Sequence, residues 1–172
     1  MQYGNYDFTQ RTGFELFSEQ YFLGGKLSFS ESFTYIDARV LKNNGASSHL
    51  KIPYVSNYKA TIGANWQISR FSLWIQNSFY GAQKDIETFT TTGMGHNATT
   101  TSNEQKTIPA YNLTDLGVNA KIGDFSLSAG VRNLFDNFYY SYYNGDASDT
   151  IAGYGFLIGQ GRTAFIEARY TF

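Results

Sequence analysis

The sequence lacks cysteine and is poor in proline and in charged residues. Without cysteine it has neither a disulfide framework nor a thiolate metal site. Charged residues make up 16% of the chain, whereas soluble domains usually contain roughly 25%. The formal net charge is only −1 at pH 7. This balance gives no electrostatic basis for binding nucleic acid, so no nucleic-acid partner is expected.

Long apolar runs are also missing. No stretch reaches the roughly 18 consecutive apolar residues that a membrane-spanning helix needs. Residues 1–8 contain neither the basic region nor the apolar core of a secretory signal peptide. A membrane-spanning β-strand needs only about 9 to 11 residues of alternating character, and hydropathy detects it poorly. These absences exclude spanning helices and leave a membrane β-barrel open.

Aromatic residues, in contrast, are abundant, at 18% of the chain, with 14 Tyr and 15 Phe. Both residue types favour pleated sheets and membrane boundaries. Apolar and polar residues alternate with a period of 2, which predicts strands with one apolar and one polar face. The sequence therefore predicts an all-β chain of about seven antiparallel strands. They are expected near residues 10–22, 26–35, 57–68, 71–80, 108–122, 125–143 and 164–172.

The connections between these strands alternate between short turns and long loops. Short turns are expected at 23–25, 69–70 and 123–124, and long polar loops at 40–51, 83–107 and 144–160. Short turns at one end and long loops at the other are typical of outer-membrane barrels, whose long loops are extracellular. Periodicity alone also fits a soluble, ligand-carrying or enzymatic barrel with an apolar interior. Loop asymmetry and strand length favour the transmembrane β-barrel.

The odd number of strands has a further consequence. Complete single-chain bacterial barrels have an even number of antiparallel strands, and residues 1–8 are too short to supply an eighth strand and its loop. We therefore expect residues 1–172 to be the C-terminal part of a larger barrel, with no plug domain and with the missing strands supplied elsewhere. The alternative is a small stand-alone structural or adhesive outer-membrane barrel with an undetected eighth strand.

Several short motifs carry a resemblance to a known family. They are Ile52-Pro53-Tyr54-Val55, the stretch 108–115, Asn133-Leu134-Phe135-Asp136 followed by Tyr139, Gly161-Arg162, and the final Tyr170-Thr171-Phe172. Each motif alone is weak, but the set is specific in this order and at these spacings. From Gly13 onward, the chain resembles the C-terminal third of a TonB-dependent outer-membrane receptor.

The resemblance implies an architecture, a function and a set of partners. The strands would be the last seven of a roughly 22-stranded barrel that is plugged by an N-terminal domain. The receptor would lie in the outer membrane of a Gram-negative bacterium and import a scarce nutrient, such as an iron siderophore or haem, with energy from TonB. The implied partners are outer-membrane lipid, the remaining barrel strands and plug, the TonB complex, the barrel-assembly machinery and an iron chelate.

Candidate ligand-binding residues are few. His49 and His96 are the two histidines of the chain, and both fall in predicted extracellular loops, where Met94 lies between two glycines. A haem or metal chelate could bind to these side chains, although solvated loop residues are the simpler interpretation. No set of nucleophile, base and orienting acid can be assembled, so no enzyme, resident metal or cofactor is expected.

The last strand and an aromatic cluster complete these expectations. The apolar file within 164–172 is expected to face lipid. By resemblance, Tyr170 and the terminal Phe172 form the signal that the barrel-assembly machinery reads. Phe165 falls on the polar file, and the pattern does not explain it. The tyrosines within 139–143 are expected to form an interfacial girdle, with the lining of a ligand vestibule as the alternative.

Overall fold

The computed structural model describes residues 8–41, 47–85, 89–93, 95, 99–102, 105–143 and 156–171. Within these ranges the chain consists of strands joined by turns, with a short 3₁₀ turn at Leu23–Gly25. The strands are β1 (Phe8–Phe22), β2 (Leu27–Leu41), β3 (Ser47–Lys51), β4 (Tyr58–Ile68), β5 (Phe71–Tyr80), β6 (Gln83–Lys84), β7 (Phe89–Thr92), β8 (Thr99–Ser102), β9 (Thr107–Ile108), β10 (Tyr111–Ile122), β11 (Phe125–Arg132), β12 (Tyr140–Tyr143), β13 (Phe156–Ile158) and β14 (Thr163–Tyr170). In this part of the chain no helix is long and apolar enough to cross a membrane.

Seven long strands form one antiparallel sheet in the order β1-β2-β4-β5-β10-β11-β14. Each long strand pairs with the next long strand along the chain, so the sheet is an up-and-down meander. The short strand β3 pairs with β2, whereas the pairs β6–β9, β7–β8 and β12–β13 form separate two-stranded sheets. The predicted all-β, antiparallel fold with seven long strands is confirmed.

The short turns all lie at one end of the sheet. They occur at Leu23–Gly25, at residues 69–70 and at residues 123–124. Such turns need a positive backbone φ, which glycine adopts without strain; φ is 65° at Gly24 and 60° at Gly123. The long connections leave the sheet at its opposite end, which we call the loop end. The predicted asymmetry of turns and loops is confirmed.

The strand register gives the sheet one apolar and one polar face. On the apolar face Leu73 lies opposite Trp66 on one side and Val118 on the other. The rest of the described chain does not cover this face, since Ile166 is 84% exposed and Ile62 is 60% exposed. A sheet with such a face is stable only where that face meets lipid or another apolar surface.

The register also assigns the faces of β1, whose aromatic residues occupy both alternating files. Phe14 lies opposite Tyr35, with ring centroids 5.8 Å apart, and Leu16 lies opposite Phe33. These residues continue the apolar face of the sheet. Phe17, which is 72% exposed, belongs to the polar face instead. Pairing with β2 therefore determines which side chains of β1 lie on the apolar face, which the sequence of β1 alone does not show.

Part of the second long connection folds against β3 at the loop end. The buried Gln105 accepts the backbone N–H of Lys51 at 2.9 Å, and its Nε2 donates to the backbone carbonyls of Lys51 and Asp85, both at 2.9 Å. Asp85 is 2% exposed, and its Oδ1 accepts the backbone N–H of Lys106 at 2.6 Å. The sequence predicts an unstructured loop here, but one amide side chain satisfies backbone groups of neighbouring segments and fixes the base of the loop.

The sequence also predicts that the sixth strand resumes after an interruption and runs on to Tyr143. This prediction is wrong. The long strand β11 ends at Arg132, and β12 pairs with β13 outside the main sheet. The physical reason is a tight turn in which Asn133 and Asp136 have positive φ, 48° and 55°. This left-handed conformation breaks the extended backbone and redirects the chain.

Candidate functional site at the loop end of the polar face

A lysine and three tyrosines form a continuous row across the polar face at the loop end. Lys59 of β4 lies opposite Tyr80 of β5, which in turn lies opposite Tyr111 of β10. The Lys59 ammonium nitrogen lies 5.0 Å from the Tyr80 ring centroid. The Tyr80 and Tyr111 rings stack with centroids 4.8 Å apart, and the Tyr111 and Tyr139 rings with centroids 4.5 Å apart. We call Lys59, Tyr80, Tyr111 and Tyr139 the tyrosine row.

The positions of the strand ends produce this row. Tyr80 is the last residue of β5, Tyr111 is the first of β10, and Lys59 is the second of β4. Antiparallel pairing brings these ends together at the same level of the sheet. The neighbouring residues point to the other face, where Tyr58 stacks on Phe79 with centroids 5.8 Å apart. Among the described residues, the strand ends therefore carry aromatic residues on both faces, and Lys59 with the three-ring stack lies on the polar face.

Glycine at position 159 closes the far end of the tyrosine row. The backbone N–H of Gly159 donates to the carbonyl oxygen of Tyr139 at 2.8 Å. A Cβ atom on Gly159 would lie 2.0 Å from the Tyr139 Cζ atom, far inside van der Waals contact. Only glycine therefore allows the Tyr139 ring to lie against this backbone. The outer ring faces of the stack are covered by Lys59 at one end and by Gly159 at the other.

The turn that follows β11 places Tyr139 beside Tyr111. Asn133 is 3% exposed, and its side-chain amide donates to the carbonyl oxygens of Asn137 at 3.0 Å and Gln160 at 3.2 Å. Its Oδ1 accepts the backbone N–H of Asn137 at 2.9 Å. Asn137 in turn donates to the backbone carbonyl and side-chain oxygens of Asn112, at 2.9 and 3.0 Å. The Asn133 turn thus ties the chain before Tyr139 to β10.

The same turn is anchored to the strands on either side of β11. The Oδ1 atom of Asp115, on β10, accepts the backbone N–H of Asn133 at 2.8 Å. The Oδ1 atom of Asp136 accepts the backbone N–H of Arg162, just before β14, at 2.7 Å. The motif at 133–136 is therefore a junction between β10 and the start of β14. Its hydrogen bonds hold Tyr139 in position from both sides.

A second aromatic arrangement lies nearer the middle of the polar face. Trp74, Gly117, Gly130 and Phe165 occupy one transverse row of four neighbouring strands. A Cβ atom on Gly117 would lie 2.8 Å from the Trp74 ring, and one on Gly130 would lie 2.9 Å from the Phe165 ring. Each ring therefore lies over a glycine of the adjacent strand and covers its backbone. This contact explains Phe165, and the guanidinium of Arg132 lies 5.3 Å from its ring centroid.

An ionic cluster lies at the loop end of β2. It lies beyond Tyr35 and Tyr58, which form the last residue pair between β2 and β4. The carboxylate of Asp37 contacts the Arg39 guanidinium at 2.6 Å and the Lys51 ammonium at 2.5 Å. Hydrogen bonds from Arg39 and Lys51 lower the pKa of Asp37 from 3.8 to about 2. This cluster ties β3 to β2 and shares Lys51 with the Gln105 contacts.

Of the candidate site residues predicted from the sequence, only some lie within the described residues. His49 lies in β3, but its side chain is outside the described residues. Met94, His96 and Phe172 also lie outside them. Ligand contact by His49, Met94 and His96 therefore stays a prediction. Tyr170 lies at the end of β14 opposite Phe125, with ring centroids 4.9 Å apart on the apolar face.

The tyrosine row was not identified as a site from the sequence. Tyr80 and Tyr111 stand at ends of alternating strands, which could have placed both near the loop end. Their direct pairing depends on the register between β5 and β10, and the position of Tyr139 depends on the Asn133 turn. Tyr139 stacks on the polar face, whereas the expected girdle would lie towards lipid, so for Tyr139 the vestibule alternative fits better. In the described part of the chain, no group of three or more His, Asp or Glu residues could hold a metal ion.

A family model now adds to this geometry. The model for "TonB dependent receptor-like, beta-barrel" matches residues 1–134. The chain belongs to this family. The resemblance carried by the sequence motifs is thereby confirmed, and so is the expectation that the seven-stranded sheet is a segment of a TonB-dependent receptor barrel. The family consists of receptors rather than enzymes. No curated protein sequence matches the chain at a significant level.

Solved structures share this fold. They include the ferric citrate transporter FecA in the unliganded form, with 22% sequence identity and a TM-score of 0.67 over 93% of this chain. The ferric yersiniabactin uptake receptor FyuA from Yersinia pestis has 20% identity and a TM-score of 0.67 over 95% of this chain. The copper transporter OprC has 20% identity and a TM-score of 0.69 over 95% of this chain. The receptor segment spans 24% of the length of each of these proteins.

Proposed function

We propose that the chain is part of an outer-membrane receptor of a Gram-negative bacterium that takes up a scarce nutrient as an iron chelate, a siderophore or haem. The observation that carries the proposal is the two-faced sheet of a family member. Its apolar face is exposed, as lipid contact requires, and its polar face carries the tyrosine row at the loop end. Two of the three similar structures are, by their titles, a ferric citrate transporter and a ferric yersiniabactin uptake receptor.

In this proposal, residues 1–172 supply the C-terminal strands of a barrel whose other strands and plug are supplied elsewhere. The polar face of the sheet lines the lumen, and the loop end opens to the outside of the cell. Energy for uptake comes from the TonB complex. His49, Met94 and His96 are candidates for contact with the cargo at the outer mouth. The similarity to a copper transporter makes a copper complex the second cargo to be tested.

Uptake assays test the proposal directly. The intact receptor that carries this chain is expressed in a bacterium that lacks its own ferric-chelate receptors, and cells are supplied with radioactive iron chelates or with haem. We expect receptor-dependent accumulation of iron that stops when TonB is inactivated. A receptor that assembles in the outer membrane but accumulates no metal in any form would contradict the proposal. Such a result, combined with a loss of cell adhesion on deletion, would favour the structural or adhesive barrel.

We also propose that Tyr170 and Phe172 form the signal for the barrel-assembly machinery. Tyr170 ends β14 on the apolar face at the turn end of the sheet. Deleting Phe172 is expected to lower the amount of receptor in the outer membrane severalfold, without changing the ligand affinity of the molecules that do assemble. Quantitative blotting of outer-membrane fractions measures the first effect and a binding titration the second. Unchanged assembly would refute this role, and Thr171→Ala serves as the matched control.

A further inference from the structure

A carboxyl group interrupts the apolar face of the sheet. Glu31 of β2 lies on this face, opposite Ile62 of β4. On the same side of β2, Tyr35 lies four residues towards the loop end and Leu27, opposite Trp66, lies four residues towards the turn end. Glu31 is therefore about 13 Å along the strand from each of them, in the band that a barrel presents to hydrocarbon. Ionisable groups are rare there, because hydrocarbon does not solvate them.

Two polar side chains of β1 lie beside this carboxyl group. Ser18 lies directly opposite Glu31, and the Nε2 atom of Gln20 donates to Oε2 of Glu31 at 2.9 Å. Gln20 also donates to the Ser18 hydroxyl. Within the described part of the chain, no hydrogen bond reaches Oε1 of Glu31, and no lysine or arginine shares this band of the apolar face. We call Ser18, Gln20 and Glu31 the lipid-face cluster.

Another polar pair on the same face shows the contrast. Asn77 lies opposite Ile62 on one side and opposite Thr114 on the other. Its Nδ2 atom donates to Oγ1 of Thr114 at 2.7 Å, and Thr114 is buried. That pair is complete within the sheet. In the lipid-face cluster, Ser18 and Glu31 are exposed, so the remaining carboxyl oxygen requires a donor from outside these strands.

The surface beside the cluster is concave. A pocket of about 340 Å³ lies between two neighbouring transverse rows of the apolar face. One wall is the row of Leu16, Phe33 and Ala60, and the other is the row of Ser18, Glu31 and Ile62. Ile62 is 60% exposed, so its aliphatic side chain projects at the rim of the pocket. A projection and a recess of similar chemistry therefore lie side by side.

A second copy of the receptor matches these features. A copy inserted in the same membrane presents the same cluster at the same depth, and a two-fold symmetric contact pairs a patch with itself. The patch contains donors in Gln20 and Ser18 and an acceptor in Glu31, so it is complementary to its own copy in hydrogen bonding. Ile62 and the pocket make it complementary in shape. Acyl chains fill such a pocket but supply no donor.

We propose that the lipid-face cluster is the centre of a symmetric contact between two receptors in the outer membrane. The second amide N–H of Gln20 in each copy donates to the Glu31 carboxyl group of the other, and each Ile62 enters the pocket of the other copy. Polar side chains join membrane segments in this way because lipid offers them no partner. The inference rests on the proposed location in the outer membrane and on no particular cargo.

Cysteine cross-linking in native outer membranes tests the contact. The chain has no cysteine, and the experiment uses the intact receptor with any cysteine elsewhere replaced by serine. On mild oxidation, Ile62→Cys should form several times more disulfide-linked dimer than Ile166→Cys. Ile166 is the matched control because it is also exposed on the apolar face but lies on β14, four strands from β4. Equal yields, or a product with the mass of a different partner, would refute a contact between copies.

Association of the purified receptor in lipid vesicles tests the role of the cluster. Single-molecule photobleaching counts the copies in each complex over a range of protein-to-lipid ratios. Glu31→Leu and Gln20→Leu should each weaken association roughly threefold to tenfold, whereas Glu31→Gln, which keeps an acceptor, should weaken it less. Glu19→Leu is the control, since Glu19 is next to Gln20 in sequence but lies on the polar face. Unchanged association in Glu31→Leu would refute the proposal.

Unfolding in urea separates this contact from a role within one barrel. Glu31→Leu removes a polar group from the lipid face, so it should not lower the stability of the monomer. A loss of stability in a receptor that is monomeric at every ratio would show that another strand of the same barrel binds Glu31, and would refute the contact. A monomeric receptor that accumulates iron would contradict the contact alone. A dimeric receptor that accumulates none would contradict the uptake function alone.

Discussion

The two aromatic arrangements on the polar face use their rings in opposite ways. In the middle of the face, Trp74 and Phe165 lie over Gly117 and Gly130 and cover the backbone of neighbouring strands. At the loop end, the rings of the tyrosine row stack on one another, and a glycine is needed only at the end of the stack. A ring that lies over a glycine covers the backbone of the neighbouring strand, whereas the stacked rings mainly contact one another.

This difference predicts that the two arrangements contribute differently to the stability of the sheet. The mid-face rings fill space that the missing glycine side chains leave, so their main contribution is packing between strands. The tyrosine row lies at the ends of the strands, where a change in side-chain chemistry disturbs fewer neighbours. Substitutions among the mid-face rings and their glycines should therefore change mainly the free energy of unfolding. Substitutions in the tyrosine row should change it less.

The largest expected effect comes from the glycine beneath Phe165. A Cβ atom on Gly130 would lie 2.5 Å from the backbone carbonyl oxygen of Leu116, which cannot move without disturbing the pairing of β10 and β11. Gly130→Ala should therefore lower the free energy of unfolding by about 3 kcal/mol. Urea unfolding of the receptor in lipid vesicles, followed by tryptophan fluorescence, measures this loss.

A second glycine provides the control for this substitution. Gly24 has a φ of 65° in a turn, and a Cβ atom there would have no neighbour within 4 Å. Gly24→Ala should destabilise the receptor by only about 1 kcal/mol, through backbone strain alone. Equal losses for Gly24→Ala and Gly130→Ala would show that contact with the neighbouring strand does not determine the requirement for glycine at position 130.

The next effect tests the turn that holds the tyrosine row. Asn133→Ala removes three side-chain hydrogen bonds to Asn137 and Gln160 in a buried position. It should destabilise the receptor by about 2 kcal/mol and also weaken chelate binding, because Tyr139 loses its support. Unfolding and binding titrations on the same variant measure both. Asn133→Gly, which accommodates the positive φ but also lacks the amide, separates backbone strain from hydrogen bonding.

A smaller effect distinguishes the mid-face rings from the tyrosine row. Phe165→Leu removes the ring over Gly130 and should lower the free energy of unfolding by about 1 kcal/mol without changing chelate affinity. Phe17→Leu is the control, since Phe17 lies on the polar face opposite a serine, Ser32, and is 72% exposed. A loss of chelate affinity in Phe165→Leu would contradict the separation of the two arrangements.

The same comparison shows what could be predicted from the sequence. Strand positions and the alternation of turns and loops follow from local patterns of period 2, so they could be predicted. The role of Phe165 could not, because it depends on which residue of β11 lies opposite it. The sequence likewise favours an interfacial girdle over a vestibule lining for Tyr139, because nothing in the sequence shows that Asn133 and Asp136 redirect the chain. Contacts set by register or by a single tight turn become visible only in the folded sheet.

The smallest expected change in stability comes from protonation of Asp37. This residue lies in the ionic cluster at the loop end of β2, apart from the mid-face rings and the tyrosine row. The pKa of Asp37 is lowered from 3.8 to about 2 by Arg39 and Lys51. A lowered pKa in the folded state means that the stabilisation is complete above pH 3.8 and is lost as the pH falls through 2. Because the charges are partly exposed, the effect should be small.

Hydrogen exchange can detect this loss locally. The backbone N–H of Ile52 donates to the carbonyl oxygen of Ala38 at 3.1 Å, next to the cluster. Its protection, corrected for intrinsic exchange, should fall by about threefold or less between pH 4 and pH 2 in the unmodified receptor. In Asp37→Asn the protection of the Ile52 N–H should already be low at pH 4 and change little with pH.

Protection at Leu134, whose N–H donates to the carbonyl oxygen of Thr114 in the Asn133 turn, should be the same in both proteins. A pH-dependent change at Leu134 that disappears in Asp37→Asn would show that the ionic cluster and the tyrosine row are coupled, and that the loop end acts as one unit.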